Sequence, residues 1–350
     1  MEVIRNRIYS LGLNATATQD LLQQHLQPSA TEKCYRKHQL RFLDFAKKNQ
    51  VSFDKFTAQD VVNFLSTMRT THHHQTSTLK TTRAAITHLH QDPNIIKHSN
   101  LLNSYIDSLV RQDPPTLIHR PTLDLSPALA FAQEIASRGS TTVYRLQIKL
   151  AFLLSMAAFL RPSDLERIPF GSCSVDRSTG ALTFSVVAPK EKRKGRRIIK
   201  PYTIHPHRDN PELCPVQCFL AIRDHPHLTG RSRDTALFIN SKNFKTPICA
   251  STLSSWLHHH FISLVTSEKG VSIRSLASSR ALDQGVAMQD ILSLGNWASS
   301  DTFQNHYQRN QMARIDFTTT VLSSGTSLDT TSPTDDEYFD AENSFGMALD

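Results

Sequence analysis

Two arginines, a tryptophan and a tyrosine stand out in this 350-residue chain for the residues around them. Arg161 closes a long apolar run and is followed three residues on by an acid, in Ala158-Phe-Leu-Arg-Pro-Ser-Asp-Leu-Glu-Arg-Ile168. Arg274 lies in Ile273-Arg-Ser-Leu-Ala-Ser-Ser-Arg-Ala-Leu282. Trp297 and Tyr307 share Asp290-Ile-Leu-Ser-Leu-Gly-Asn-Trp-Ala-Ser-Ser-Asp-Thr-Phe-Gln-Asn-His-Tyr307. Between the arginines runs a very basic turn, Lys190-Glu-Lys-Arg-Lys-Gly-Arg-Arg197. A guanidinium stays charged and offers a fork of donors that matches phosphate oxygens. An indole adds a single N–H donor, and a phenol with a pKa near 10 is about one part in a thousand anionic at pH 7. These residue types suit work on a phosphate. No Gly-rich phosphate loop of the Walker type accompanies them.

Each residue also has a plainer reading. Arg161 alone fits a helix-end arginine pairing with Asp164, Trp297 and Phe303 fit a core, and Tyr307 fits an amphipathic surface. The basic turn fits a solvated loop or a nuclear-import signal, and DNA contact through Lys192, Arg193, Lys194, Arg196 and Arg197 is the preferred reading. The histidine runs His72–His74 and His258–His260, and Cys214 and Cys218 near His205 and His207, raise the question of a metal. No zinc-finger spacing is met, and cysteines one helical turn apart fit a buried helix face, so no metal is expected.

The elements that must position these residues follow from charge, caps and periodicity. From Val321 to the end there are seven acids and no lysine or arginine, which leaves 24 acids against 39 bases on the rest. A surplus of that size points to a polyanion, through counterion release, and to double-stranded DNA before a membrane. The longest apolar stretch, Leu146 to Leu160, is broken by Gln147, Lys149 and Ser155 and reads as a buried helix, not a membrane span. The five cysteines make no disulfide framework in a chain of this length and fit reduced thiols inside a cell. Residues 1–27 read as a loose arm or short helix. Helices are expected after Ser29-Ala-Thr-Glu32, after Thr57-x-x-Asp60, from about Ser77, and after Ser99 or Asn100, giving a helical domain over 28–113. Asp113-Pro-Pro and Arg120-Pro121 then break the chain. A second domain, 116–320, is expected to hold helices over 125–137, 143–160, 214–224, 251–265, 275–284 and 288–294. Within it, Ala181 to Pro189 and Arg197 to Ile204 read as the two strands of a hairpin with Gly195 at its tip. Residues 321–350, acidic and rich in Ser and Thr, read as a disordered tail.

The three quoted segments together resemble the catalytic domain of the tyrosine recombinases. They are most similar to those of mobile elements of the DIRS and Crypton types, in which Gly-x-Trp-x-Ser-x-x-Thr-Phe precedes a tyrosine. The resemblance covers about 115–315, and the N-terminal helices look like the family's DNA-clamping core-binding domain. It implies a mainly α fold with a small antiparallel sheet, a helical core-binding domain followed by an α+β catalytic domain. It also implies roles: Arg161 and Arg274 as the catalytic arginines and Asp164 as the acid supporting the first. Trp297 takes a position held by His or Trp, and Tyr307 becomes the nucleophile. Lys190 is the best match to the hairpin lysine, with Lys192 and Lys194 as rivals.

In that scheme the tyrosine attacks a DNA phosphate, a phosphotyrosyl link conserves the bond energy, and a lysine protonates the departing deoxyribose oxygen. Neither metal nor cofactor is needed. The family usually places His three residues before the second arginine, and Val271 stands there instead. A valine can neither donate nor accept a proton. Three functions stay open: a mobile-element recombinase or integrase, a decayed or repurposed recombinase that only binds DNA, and a topoisomerase of the related type IB kind. The implied partners are double-stranded DNA and three further copies in a homotetramer on it. No membrane or small-molecule substrate is expected, and the location is intracellular, nuclear in a eukaryotic host.

Overall fold

Polar side chains at the starts of helices fix where the chain turns. In the computed structural model, which describes residues 2–26, 30–114, 119–189, 192–193, 196–197, 199–311, 318 and 321, the chain divides into two compact units, 1–117 and 118–350. The first is all helical: α1 (Glu2–Tyr9), α2 (Ala15–Leu26), α3 (Ala30–Lys48), α4 (Ala58–His72), α5 (Thr76–Thr87), α6 (Pro93–Lys97) and α7 (Asn100–Gln112). Thr57 and Asp60 cap α4 reciprocally, with Thr57 N donating to Asp60 Oδ2 at 2.8 Å and Asp60 N to Thr57 Oγ1 at 3.2 Å. Of the two candidates for the α7 cap, Ser99 is the one used, its Oγ accepting from Leu102 N. Phe42, Phe56 and Phe64 meet edge to face at the centre, with ring centroids 4.7 and 5.3 Å apart. The stretch read as a loose arm forms two helices, and Ile8 is buried in the same core.

The second unit contains α8 (Ser126–Glu134), α9 (Val143–Ala158), α10 (Pro162–Leu165), α11 (Pro215–Arg223), α12 (Ala250–Leu257), α13 (Ser263–Val265), α14 (Ile273–Asp283), α15 (Met288–Gly295) and α16 (Ser300–His306). Its strands are β1 (Ser174–Val175), β2 (Leu182–Ser185), β3 (Lys192–Arg193), β4 (Arg196–Arg197), β5 (Pro201–Ile204), β6 (Ile239–Asn240) and β7 (Asn243–Pro247). All pairings are antiparallel. β2 and β5 form the expected hairpin, in register Leu182 with Ile204 and Ser185 with Pro201, and β1 adds a third strand on the far side of β2. The fold is thus mainly α with small antiparallel sheets, as the sequence predicts.

Helix α9 runs through the core of this unit, packed by α10, α11, α12 and α14. The polar residues that interrupt its apolar run are themselves buried, and two of them have a clear task. Gln147 completes strand β6, its Nε2 donating to Ile239 O at 3.0 Å and its Oε1 accepting from Ile239 N at 2.8 Å. Lys149, fully buried, donates to Ile135 O at 2.5 Å and to Glu212 Oε2 at 3.2 Å. A buried polar group is costly unless paired in this way. Phe152 stacks on Phe261 at 4.0 Å from a π-helical turn, His258–Ile262, that interrupts the helix expected over 251–265.

Candidate active site

The site forms where three chain segments end their helices. Helix α9 stops at Ala158 because Phe159 turns left-handed, φ 51°, an uncommon conformation for a residue with a side chain. The turn directs the chain through Leu160 to Arg161, which opens α10. Asp164 holds that opening, its Oδ2 accepting from Arg161 N at 3.0 Å and lying 3.7 Å from Arg161 Nη1. Asp164 is buried, whereas a quarter of the Arg161 side chain is exposed. A buried carboxylate beside a half-buried guanidinium fixes the direction of the fork.

Arg274 enters from the first turn of α14, which Ser272 caps through Ser275 N at 3.2 Å. Its guanidinium is buried and bridges two helix ends: Nη1 donates to Phe159 O at 2.6 Å and Nη2 to Gly295 O. Carbonyls at helix C-termini lack intrahelical partners and carry partial negative charge, so a buried cation fits there. The same guanidinium lies 4.4 Å from the Trp297 ring centroid and 5.3 Å from that of Tyr307.

Every residue of Gly295-x-Trp297-x-Ser299-x-x-Thr302-Phe303 has a physical task here. A Cβ at Gly295 would overlap Cζ3, Cε3 and Cη2 of Trp297, so only glycine lets the indole fold back over α15. Asn296 makes the left-handed turn, φ 55°, that asparagine tolerates better than most residues. Ser299 caps α16, accepting from Thr302 N, and Phe303 is fully buried against Trp297 at 5.2 Å. Helix α16 then delivers Tyr307, whose ring lies 4.8 Å from Trp297. Substituting Gly295→Ala is expected to cost about 1–3 kcal/mol of stability by overpacking, read by chemical denaturation, and to displace Trp297.

The Tyr307 phenol is half-buried, and burial resists its ionisation. A hydrogen bond from Arg161, the charges of Arg161 and Arg274, and the neighbouring Trp297 indole outweigh that penalty and hold the phenol below its ordinary range. Arg161, Arg274, Trp297 and Tyr307, up to 146 positions apart in sequence, therefore meet at the Tyr307 side chain.

The hairpin is described only in part. Lys190 and Lys194 lie outside the described residues, as does the chain from 322 on. Lys192 and Arg193 pair with Arg197 and Arg196 as backbone strands. At the hairpin base, Lys200 Nζ donates to Ser293 O at 2.5 Å, and the Tyr202 hydroxyl accepts from Asn296 Nδ2 at 3.2 Å, which ties β5 to the turn before Trp297. Neither residue was expected from sequence, since both look like ordinary strand-end residues. Val271 is half-buried and packs against the larger core of the unit. Cys214 accepts from His207 N at 3.3 Å, and Cys218 donates to Leu146 O at 3.4 Å inside the core. Among the described residues no group of three or more His, Cys, Asp or Glu side chains is gathered as a metal site, and no helix is long and apolar enough to cross a membrane.

No family model matches the sequence, and no curated protein matches it either. Solved structures do match. The Tn1549 transposon integrase in complex with transposon right-end DNA aligns with 87% of this chain and 95% of its own at 12% identity and a TM-score of 0.53. The XerH site-specific recombinase bound to its difH substrate aligns over 92% of this chain and 93% of its own, at 15% identity and a TM-score of 0.52. At these identities the likeness is one of fold: the chain has the fold of the tyrosine recombinases.

Proposed function

We propose that this chain cleaves and rejoins double-stranded DNA, with Tyr307 as the nucleophile. The observation that supports it is the placing of the phenol against Arg161, Trp297 and Arg274, with its ionisation favoured despite burial. In the reaction, Oη forms a bond to phosphorus while the bond from phosphorus to a deoxyribose oxygen breaks, and that oxygen leaves as a hydroxyl after taking a proton. Charge builds on the non-bridging oxygens, where Arg161 meets it most directly because its fork reaches solvent, while Arg274 supplies its charge from below. Lys190, with Lys192 and Lys194 as alternatives, is the proton donor in this scheme, and the basic hairpin grips the DNA backbone. Asp164 serves as the support of Arg161. Neither step calls for a metal or cofactor.

At the finer level we assign the chain to a mobile-element recombinase of the DIRS or Crypton type, acting as a homotetramer on DNA and, in a eukaryotic host, in the nucleus. The domain organisation proposed with it is a DNA-clamping unit over 28–113, a catalytic unit over 116–320, and a tail over 321–350. Val271 favours a second reading, binding without cleavage, because an apolar side chain packed on the core replaces the family's imidazole. The two readings separate on one substitution. Val271→His is expected to speed covalent cleavage about tenfold or more, within the ~10²–10⁴-fold that a positioned acid or base contributes.

The test is incubation of the full chain with a pool of nicked duplexes of randomised sequence, scored for a detergent-stable protein–DNA adduct. Nicking next to the scissile phosphate lets the short leaving strand diffuse away and traps the link. A slow adduct that Val271→His accelerates supports cleavage. DNA binding with no adduct from either protein overturns cleavage and leaves the binding-only reading.

A further inference from the structure

The main chain of Tyr307 is held as firmly as its side chain, by residues that the scheme above does not use. Its carbonyl accepts two hydrogen bonds from α14, from Ser275 Oγ at 2.7 Å and from Ser279 Oγ at 2.9 Å. These serines are four residues apart on one helix face, and both are buried. Ser279 Oγ in turn accepts from Arg309 N at 2.9 Å, two residues past the tyrosine. The Arg309 side chain is buried and donates to Glu268 Oε2 at 2.5 Å and, through Nε, to Pro121 O at 3.1 Å. The chain leaving α16 is therefore pinned at the nucleophile's own carbonyl and again two residues later. The helix that pins it is the one that carries Arg274.

We propose that Ser275, Ser279 and the Arg309–Glu268 pair form a clamp that positions the Tyr307 main chain so that the phenol stays seated between the two arginines. This rests on the reading of Tyr307 as the nucleophile. Tyr307 is the C-terminal cap of a seven-residue helix: its N–H donates to Phe303 O at 2.8 Å, and its carbonyl is taken up by the two serines of α14. A short helix end frays unless side chains satisfy it. The phenol sits at the far end of a long lever, so a small shift at the carbonyl moves Oη by much more. A misplacement of about 1 Å at a reacting group costs up to about a hundredfold in rate. Ser275, Ser279 and Arg309 are thus positioning residues that never need to touch DNA.

The experiment compares Ser275→Ala/Ser279→Ala with the unmodified chain on the nicked-duplex pool, alongside DNA affinity and a spectrophotometric titration of Tyr307. The titration signal is each protein minus its Tyr307→Phe counterpart. The clamp predicts a 10- to 100-fold slower adduct, DNA affinity within about twofold, and a Tyr307 titration moved up towards that of an ordinary tyrosine, because the unseated phenol loses Arg161 and Trp297. Glu268→Gln, a half-exposed and milder change, should shift both readouts in the same direction and serves if the double variant does not fold. An unchanged rate together with an unchanged titration overturns the clamp. If the unmodified chain forms no adduct, the cleavage reading fails, and the titration alone then decides: an upward shift supports the clamp, and none overturns it.

Discussion

Tyr307→Phe is expected to abolish the covalent adduct while leaving DNA affinity unchanged within about twofold. The substitution deletes one oxygen. The ring that packs beside Trp297 and the buried Phe303 remains, so the site keeps its shape. No other side chain stands in, because the phenolic oxygen is the atom that Arg161 addresses, beside Trp297. The unmodified chain should show a rate that rises with pH and levels off below the ordinary tyrosine pKa of about 10. Burial opposes the phenolate, and the Arg161 hydrogen bond, the two guanidinium charges and the indole more than offset it. The direction of the shift is downward, so the reactive form is reached at lower pH. Single-turnover rates across neutral and alkaline pH check both points. An adduct that survives the substitution places the nucleophile elsewhere.

Arg274→Lys is expected to slow cleavage about 10²–10³-fold, the usual cost of removing one preorganised donor to developing charge. Stability should fall as well, by about 1–3 kcal/mol, the cost of a buried carbonyl left without its donor. The reason is geometric. One guanidinium spans Phe159 O and Gly295 O while lying over the Trp297 and Tyr307 rings. An ammonium keeps the charge but has neither the plane to stack nor the fork to bridge two helix ends. Denaturant unfolding and single-turnover cleavage measure the two effects separately. A lysine variant that keeps the original rate would remove Arg274 from the catalytic set and leave it a structural brace.

Much of this arrangement is legible in the sequence because local signals carry it. The end of an apolar run, a cap, and Gly-x-Trp before Ser-x-x-Thr-Phe each report on a few neighbouring residues. Ser99 and the Thr57–Asp60 pair cap their helices as patterned. What sequence reasoning missed depends on partners far along the chain. Gln147 and Lys149 look like blemishes in a greasy helix until Ile239, Ile135 and Glu212 come to meet them. Strands β1, β6 and β7 run two to five residues, too short for alternation to register. Helix α16, at seven residues, is equally silent. No breaker residue marks the π-helical turn at His258–Ile262. Ser275 and Ser279 read as neutral small residues inside a helix, and only the returning chain at Tyr307 gives them a purpose.

The central claim is that Tyr307 joins itself to DNA, and locating the link tests it most directly. The adduct formed on the nicked-duplex pool is digested with nuclease and protease, and the peptide that keeps a nucleotide mass is fragmented to find the modified residue. The account predicts a phosphodiester on Tyr307 alone, with a free deoxyribose hydroxyl on the released strand. A nucleotide on any other residue, or no adduct from a chain that binds the same DNA, contradicts it.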